Sequence, residues 1–215
     1  MSSSQSNPKS NPKPEKSFSD LPESDAHLRE HPTSSEDVYS GKFLHLKKDI
    51  VQLPDGNTTY REYLIHPGAV AIVPILHDGR ILLERQFRYP VDAAMIEIPA
   101  GKLEAGEDPL LCAQRELSEE TGYSAKTWEF LGRIHPVISY STEFIDIYLA
   151  KDLSLGERAL DEGEFLDVFA ATLDEMHEWI AEGKITDVKT IISVYHLERQ
   201  RQLQGQSRGE AKGAA

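Results

Sequence analysis

The chain has 215 residues, enough for one domain with extended termini or a small accessory sheet. Its 36 acidic residues against 23 lysines and arginines leave a formal net charge of -13, which excludes a general attraction for nucleic acid or anionic lipid. A single cysteine, Cys112, excludes an intrachain disulfide and fits a reduced, cytoplasmic setting, and no apolar run approaches the length of a membrane span.

Residues 1–40 are rich in Ser, Pro, Asn and Lys, and the run from Ser2 to Pro14 is free of core-forming apolar side chains. Such a segment cannot bury enough surface to order itself, so residues 1–40 are expected to be a disordered tail without the apolar centre of a signal peptide. Phe43 to Leu53 and Thr58 to Ile65 read as two strands joined at Pro54-Asp55-Gly56, a hairpin unit over residues 41–66. Ala69 to Leu76 is a buried strand. His77-Asp78-Gly79 is a turn, and Arg80 to Phe87 is expected to pair back on it. Met95 to Pro99 is a short strand. Asp108 to Thr121 reads as a helix, with Asp108 at the N-cap, Pro109 in the first turn and Gly122 as the stop. Trp128 to Ile134 and Phe144 to Ala150 are strands on either side of a polar loop, and Phe165 to Ala171 is another. Leu173 to Ala181 and Thr186 to Gln202 are helical patterns. Residues 204–215, with Gly205, Gly209 and Gly213, are expected to be a second disordered tail, leaving a main domain at residues 67–203. Strands and helices mix without regular alternation, so the expected class is α+β, an α/β/α sandwich around a mixed sheet, with a small N-terminal antiparallel hairpin.

Glu116, Glu119 and Glu120 are spaced i, i+3 and i+4, which puts them on one helix face, while Leu110, Ala113 and Leu117 lie on another. Three carboxylates together repel unless a cation bridges them, and hard oxygen donors suit Mg²⁺ or Mn²⁺. The histidines are scattered without ligand spacing, and there is no His/Cys cluster for zinc. An isolated acidic triplet would read better as a solvated helix face. The flanking spacing decides against that: Gly101, five residues, Glu107, seven residues, Arg115-Glu116-Leu117, one residue, Glu119-Glu120, one residue, Gly122-Tyr123.

This pattern is identified as the Nudix box, and the order of elements from about residue 43 to about 200 is similar to that family's fold. The resemblance implies a metal-dependent pyrophosphohydrolase. It implies Glu116 and Glu120 as principal metal ligands, Glu119 as a further ligand or water contact, and the Ala100 carbonyl as a backbone ligand. Arg115 and Glu107 resemble the pair that orients the catalytic helix; an ordinary structural ion pair is nearly the same reading. Bound metal would screen the pyrophosphate charge and acidify a water for attack at phosphorus. Glu143, in the loop Ser139 to Glu143, matches a loop glutamate that serves as general base in the ADP-ribose group; it reads equally well as an exposed loop residue, and Glu119 is the fallback.

Outside the box, Tyr60-Arg61-Glu62, His66-Pro67-Gly68, Glu84 to Pro90 and Glu97 to Gly101 resemble the ADP-ribose and nucleotide-sugar pyrophosphatases. Arg88 corresponds to their phosphate-binding arginine, for which a guanidinium fork is suited. Arg61 would reach a partner subunit's site. Tyr60 or Phe87 would stack on a base or sit in the core, and Tyr140 is a further contact. The group commonly has a proline at the position held here by Ile138, with Pro136 nearby, which puts strict ADP-ribose specificity in doubt. The resemblance further implies a homodimer exchanging its N-terminal hairpins. The leading expectation is hydrolysis of ADP-ribose to AMP and ribose 5-phosphate. The alternatives are another nucleotide sugar or a dinucleotide as substrate, or a sensor that binds ADP-ribose without cutting it. The charge balance argues against a nucleic-acid substrate such as capped RNA.

Overall fold

The computed structural model describes residues 18, 21–160 and 163–213, the last ten as backbone alone. No helix among them is long and apolar enough to cross a membrane.

The N-terminal unit is a three-stranded antiparallel sheet, β1 (His31–Ser40), β2 (His45–Gln52) and β3 (Thr58–Ile65), in that spatial order. The expected hairpin is β2–β3, paired from His45 with Ile65 to Gln52 with Thr58. Gly56, at φ 86°, supplies its turn. The strand β1 corrects the expectation of a tail through residue 40. It pairs with β2 from His31–Gln52 to Ser40–His45. Every β1 residue is exposed, so ladder hydrogen bonds rather than burial hold it, and its polar composition carries no alternation to reveal it. The expected disorder of residues 1–17 lies outside the described residues.

The body holds two sheets. One has the order β7 (Ala100–Lys102), β4 (Ala69–Pro74), β9 (Ile145–Leu155), β8 (Tyr123–Ile134), with β4 and β9 parallel and the other pairs antiparallel. The other has the order β10 (Leu166–Ala171), β5 (Ile81–Arg88), β6 (Ala93–Glu97) and is antiparallel. This corrects the expected pairing of β5 with β4. Beyond the turn, where Leu76 N–H donates to the Arg80 carbonyl at 2.8 Å, a single bridge joins Ile75 and Ile81. A strand has two edges, and both edges of β4 are taken, by β7 and β9.

Alternation in β4 sets the layers. Ala69, Ala71 and Val73 face a core with Ile145, Ile147 and Leu149 of β9, Met176 of α2 (Leu173–Ala181), and Val194 and Leu197 of α3 (Val188–Gly213). Val70 and Ile72 face a second core with Cys112, Ala113 and Leu117 of α1 (Pro109–Thr121). The mixed sheet thus lies between α1 and the α2–α3 layer, the expected α/β/α sandwich. Leu117 is fully buried, worth about 2 kcal/mol of transfer free energy to the anchoring of α1. Asp108 Oδ1 accepts from Leu110 N–H at 2.9 Å and from Leu111 N–H at 3.2 Å, and Gly122 closes the helix at φ 75°. Helix α3 corrects the second expected tail: its backbone stays helical to Gly213, because Gln, Arg, Glu and Ala are good helix formers and the intervening glycines weaken a helix without ending it.

Candidate active site

The short strand β7 and helix α1 meet where the box begins and ends. A Cβ added at Gly101 would stand 1.8 Å from Cδ of Glu116, so the Glu116 side chain lies across this residue and only glycine admits it. One turn on, the Ala100 N–H donates to Glu120 Oε2 at 3.1 Å. Arg115 joins the loop to the helix. Its Nε and Nη2 donate to Glu107 at 3.0 and 3.1 Å, and its Nη1 donates to Glu116 and Glu119 at 2.9 Å each. The hydrogen bonds from Arg115 pull Glu107 down to about 2.

The three box carboxylates therefore share a face without converging. Glu116 and Glu119 turn toward Arg115, whereas Glu120 is buried and turns toward the sheet. Among the described residues, no three acidic, His or Cys side chains already form a finished cation cage. Behind Glu120 stands Glu84 of β5, 2% exposed. Burial first, then repulsion from Glu84 and Glu116, pushes Glu120 up to about 10. Burial likewise pushes Glu84 to about 7, so the pair retains a proton at neutral pH. Across from Glu84, Glu97 takes Arg88 through a two-pronged pair at 2.6 and 2.8 Å and also takes Lys189 of α3. Burial would raise Glu97, but the hydrogen bonds and charges of Arg88 and Lys189 outweigh it and hold Glu97 below its usual range.

A cleft of about 440 Å³ opens on Glu116, lined among others by Phe43, Lys102, Arg115 and Glu164. Lys102 Nζ lies 4.2 Å from the Phe43 ring centroid. The sequence reading had assigned no role to Glu164, Phe43, Glu84 or Lys189. Glu164 precedes β10 in an acidic loop, the same kind of cue that singled out Glu143. Glu143 does not line the cleft. It bears on His66, whose pKa burial lowers, with Glu143 opposing. Tyr140 is exposed, and its carbonyl accepts from Leu64 N–H at 2.9 Å, tying that loop to β3. Tyr60 and Arg61 stand on the N-terminal sheet. Tyr60 lies under Lys48, and Arg61 forms an ion pair with Glu30 at 2.5 Å; neither lines the cleft within one chain.

Comparison with known proteins shows the family and the fold. The model of the NUDIX domain matches residues 65–201, and that of the nucleoside diphosphate sugar hydrolase N-terminal domain matches residues 30–64. The chain belongs to the Nudix family. The ADP-ribose pyrophosphatase of Bacillus subtilis is 38% identical over 83% of this chain and 98% of its own. The methanol dehydrogenase activator of Bacillus methanolicus is 44% identical over 82% of this chain and 96% of its own. A crystal structure of an ADP compounds hydrolase superposes with a TM-score of 0.75, covering 83% of this chain and 97% of that one at 23% identity, which supports the fold.

As a Nudix pyrophosphohydrolase, the chain calls for a divalent cation, and its residues fit one. The available donors at Glu116, Glu120 and Ala100 are all oxygens, the set that hard cations take. Glu116 and Glu120 are both raised chiefly by burial, so each gains from a nearby cation. Glu84 Oε1 is buried with no hydrogen-bond partner among the described residues.

Proposed function

We propose that this Nudix enzyme hydrolyses the pyrophosphate bond of a nucleoside diphosphate derivative, foremost ADP-ribose, giving AMP and ribose 5-phosphate. The observation that carries this reading is Glu116 lying across the bare Gly101 while Glu120 reaches Ala100, which keeps two box carboxylates beside the same strand. Similarity to the Bacillus subtilis ADP-ribose pyrophosphatase over nearly its full length supports the substrate.

Glu116, Glu120 and the Ala100 carbonyl would hold Mg²⁺, with Mn²⁺ as a substitute, and Glu119 would contact the cation or its water. That cation would screen the phosphate charge and acidify the attacking water. Glu164 is the better candidate than Glu143 to accept the water's proton, because it lines the same cleft as Glu116. The attack forms a P–O bond to water and breaks the bridging P–O bond, so the second phosphate leaves. Arg88 would bind phosphate oxygens, and Lys102 adds positive charge at the cleft. Arg115 and Glu107 keep the box loop and helix in register. Tyr140, exposed in the loop tied to β3, is kept as a candidate substrate contact.

Tyr60 and Arg61 make sense as substrate contacts across a homodimer, in which the N-terminal sheet of one subunit reaches the other's cleft. The exposed Val38, Tyr39, Ile50 and Tyr60 on that sheet support this arrangement. A cytoplasmic location, with no nucleic-acid or membrane partner, fits the acidic charge and the lone buried Cys112.

The test is to incubate the protein with Mg²⁺ and a panel of nucleoside diphosphate derivatives and identify the products. AMP and ribose 5-phosphate from ADP-ribose, lost in Glu120→Gln, are expected. Tight binding without product would overturn the enzyme reading in favour of a sensor. Preferential cleavage of another nucleotide sugar would reassign the substrate. The higher identity to the methanol dehydrogenase activator favours a second reading, action on a dehydrogenase, tested by adding the protein to a methanol dehydrogenase assay.

A further inference from the structure

The strand β5 runs Ile81, Leu82, Leu83, Glu84. Ile81 and Leu83 belong to the core on the α2–α3 side, and Leu82 belongs to the core under α1. Side chains alternate along a strand, so Glu84 emerges on the same face as Leu82, toward α1. An apolar residue would continue that pattern. Instead a carboxyl group is buried there, 2% exposed, and lies against Glu120, with which it shares a hydrogen bond.

The neighbouring cations are committed elsewhere. Glu84 and Glu97 are register partners on β5 and β6. Glu97 takes both prongs of Arg88, and it also takes Lys189, which is shared with Asp187 at 3.1 Å. Glu84 Oε1 has no hydrogen-bond partner among the described residues. Two buried carboxyls set against each other are strongly unfavourable as a doubly charged pair, so a proton must sit between them in the cation-free protein, and a divalent cation can take that proton's place. Beside this pair stand Ala100, whose N–H donates to Glu120, and Glu116, whose charge bears on Glu120.

We propose that Glu84 is a further oxygen donor of the divalent-cation site, supplied from the floor of the sheet and completing a set with Glu120, Glu116 and Ala100. This rests on the cation-dependent reading of the site and adds a residue that lies outside the box. Its consequence is a donor set drawn from the sheet as well as from the box helix.

The test is Mn²⁺ binding to the full chain, measured by isothermal titration calorimetry and by the electron paramagnetic resonance signal of free Mn²⁺, with thermal melts in EDTA and in saturating Mn²⁺. Three proteins are compared: wild type, Glu84→Gln and Glu120→Gln. Glu84→Gln keeps the side-chain shape and removes the charge. The expected result is an Mn²⁺ affinity lower by about 10-fold or more, with a smaller Mn²⁺-induced rise in melting temperature. In EDTA, Glu84→Gln should melt at or above wild type, since the amide oxygen can still accept a hydrogen bond from Glu120 and no longer risks a buried charge. Equal Mn²⁺ affinity in Glu84→Gln and wild type, with Glu120→Gln impaired, overturns the role of Glu84 and leaves the hydrolase reading standing. A Glu84→Gln protein that melts well below wild type in EDTA assigns Glu84 a structural part and overturns the proposal as well. A wild type that binds no Mn²⁺ overturns the cation site itself, and this proposal with it.

Discussion

Arg115 grips Glu107 through two hydrogen bonds, Nε to Oε1 at 3.0 Å and Nη2 to Oε2 at 3.1 Å, which fasten the loop after β7 to the middle of α1. The remaining guanidinium nitrogen is shared by Glu116 and Glu119. One side chain thus sets both the loop and two box carboxylates. A lysine keeps the charge but cannot make this fork. Arg115→Lys is therefore expected to lose on the order of 10²-fold in kcat, because Glu116 and Glu119 would no longer be held in register with the loop. Steady-state kinetics on ADP-ribose checks this, and a wild-type kcat would show that the fork is dispensable.

Gly101→Ala should act through a different contact. The new methyl would stand 1.8 Å from Glu116 Cδ, so the glutamate must swing off the strand. The far end of a side chain yields more easily than backbone. Stability should therefore change little, within about 1 kcal/mol, while activity falls by at least about 10-fold. Thermal melts alongside activity separate the two. A large drop in melting temperature with preserved kcat would contradict the assignment of Gly101 as the bed of Glu116.

Glu84 and Glu120 predict how metal-free stability depends on pH. Their folded pKa values, about 7 and about 10, lie above the usual carboxylate range. Groups raised on folding contribute fully below their unfolded pKa, and that stability is lost as pH climbs through the folded values. In EDTA the melting temperature should fall between about pH 5 and pH 10 by on the order of 5 °C, and saturating Mg²⁺ should shrink the fall. A melting temperature in EDTA that rises over that range would contradict the burial of these carboxyls in their protonated form.

Arg88 is half committed. It holds Glu97 by two prongs while its side chain stays 42% exposed, and Lys189 also neutralises Glu97. Arg88→Gln should therefore fold, with Lys189 keeping Glu97 satisfied. Loss of a charge-assisted phosphate contact should raise KM for ADP-ribose by about 10-fold to 100-fold. Unchanged KM with an unchanged melt would place the phosphates elsewhere, and Lys102 would then be the residue to replace.

The main elements were legible because their causes are local. The α1 cap at Asp108, the stop at Gly122 and the β2–β3 turn at Gly56 are written in adjacent residues, and all three form as expected. The misreadings have nonlocal causes. Exposed, polar β1 is ordered by the neighbouring β2 ladder, which its own composition does not reveal. Strand β5 leaves β4 after one bridge because β7 and β9 already occupy both edges of β4.

The same division runs through the site. Helical spacing alone put Glu116, Glu119 and Glu120 on one face, and the run from Gly101 to Tyr123 set the box, since both depend on turns a few residues long. Whether those carboxylates converge or part, and which distant groups stand against them, was decided by tertiary packing. Glu84 from β5, Glu164 from the loop before β10 and Phe43 from the connection between β1 and β2 come from separate stretches of chain, and only tertiary packing brings them to α1. Backbone periodicity acts over one or two turns, whereas burial and charge pairing depend on which elements pack face to face.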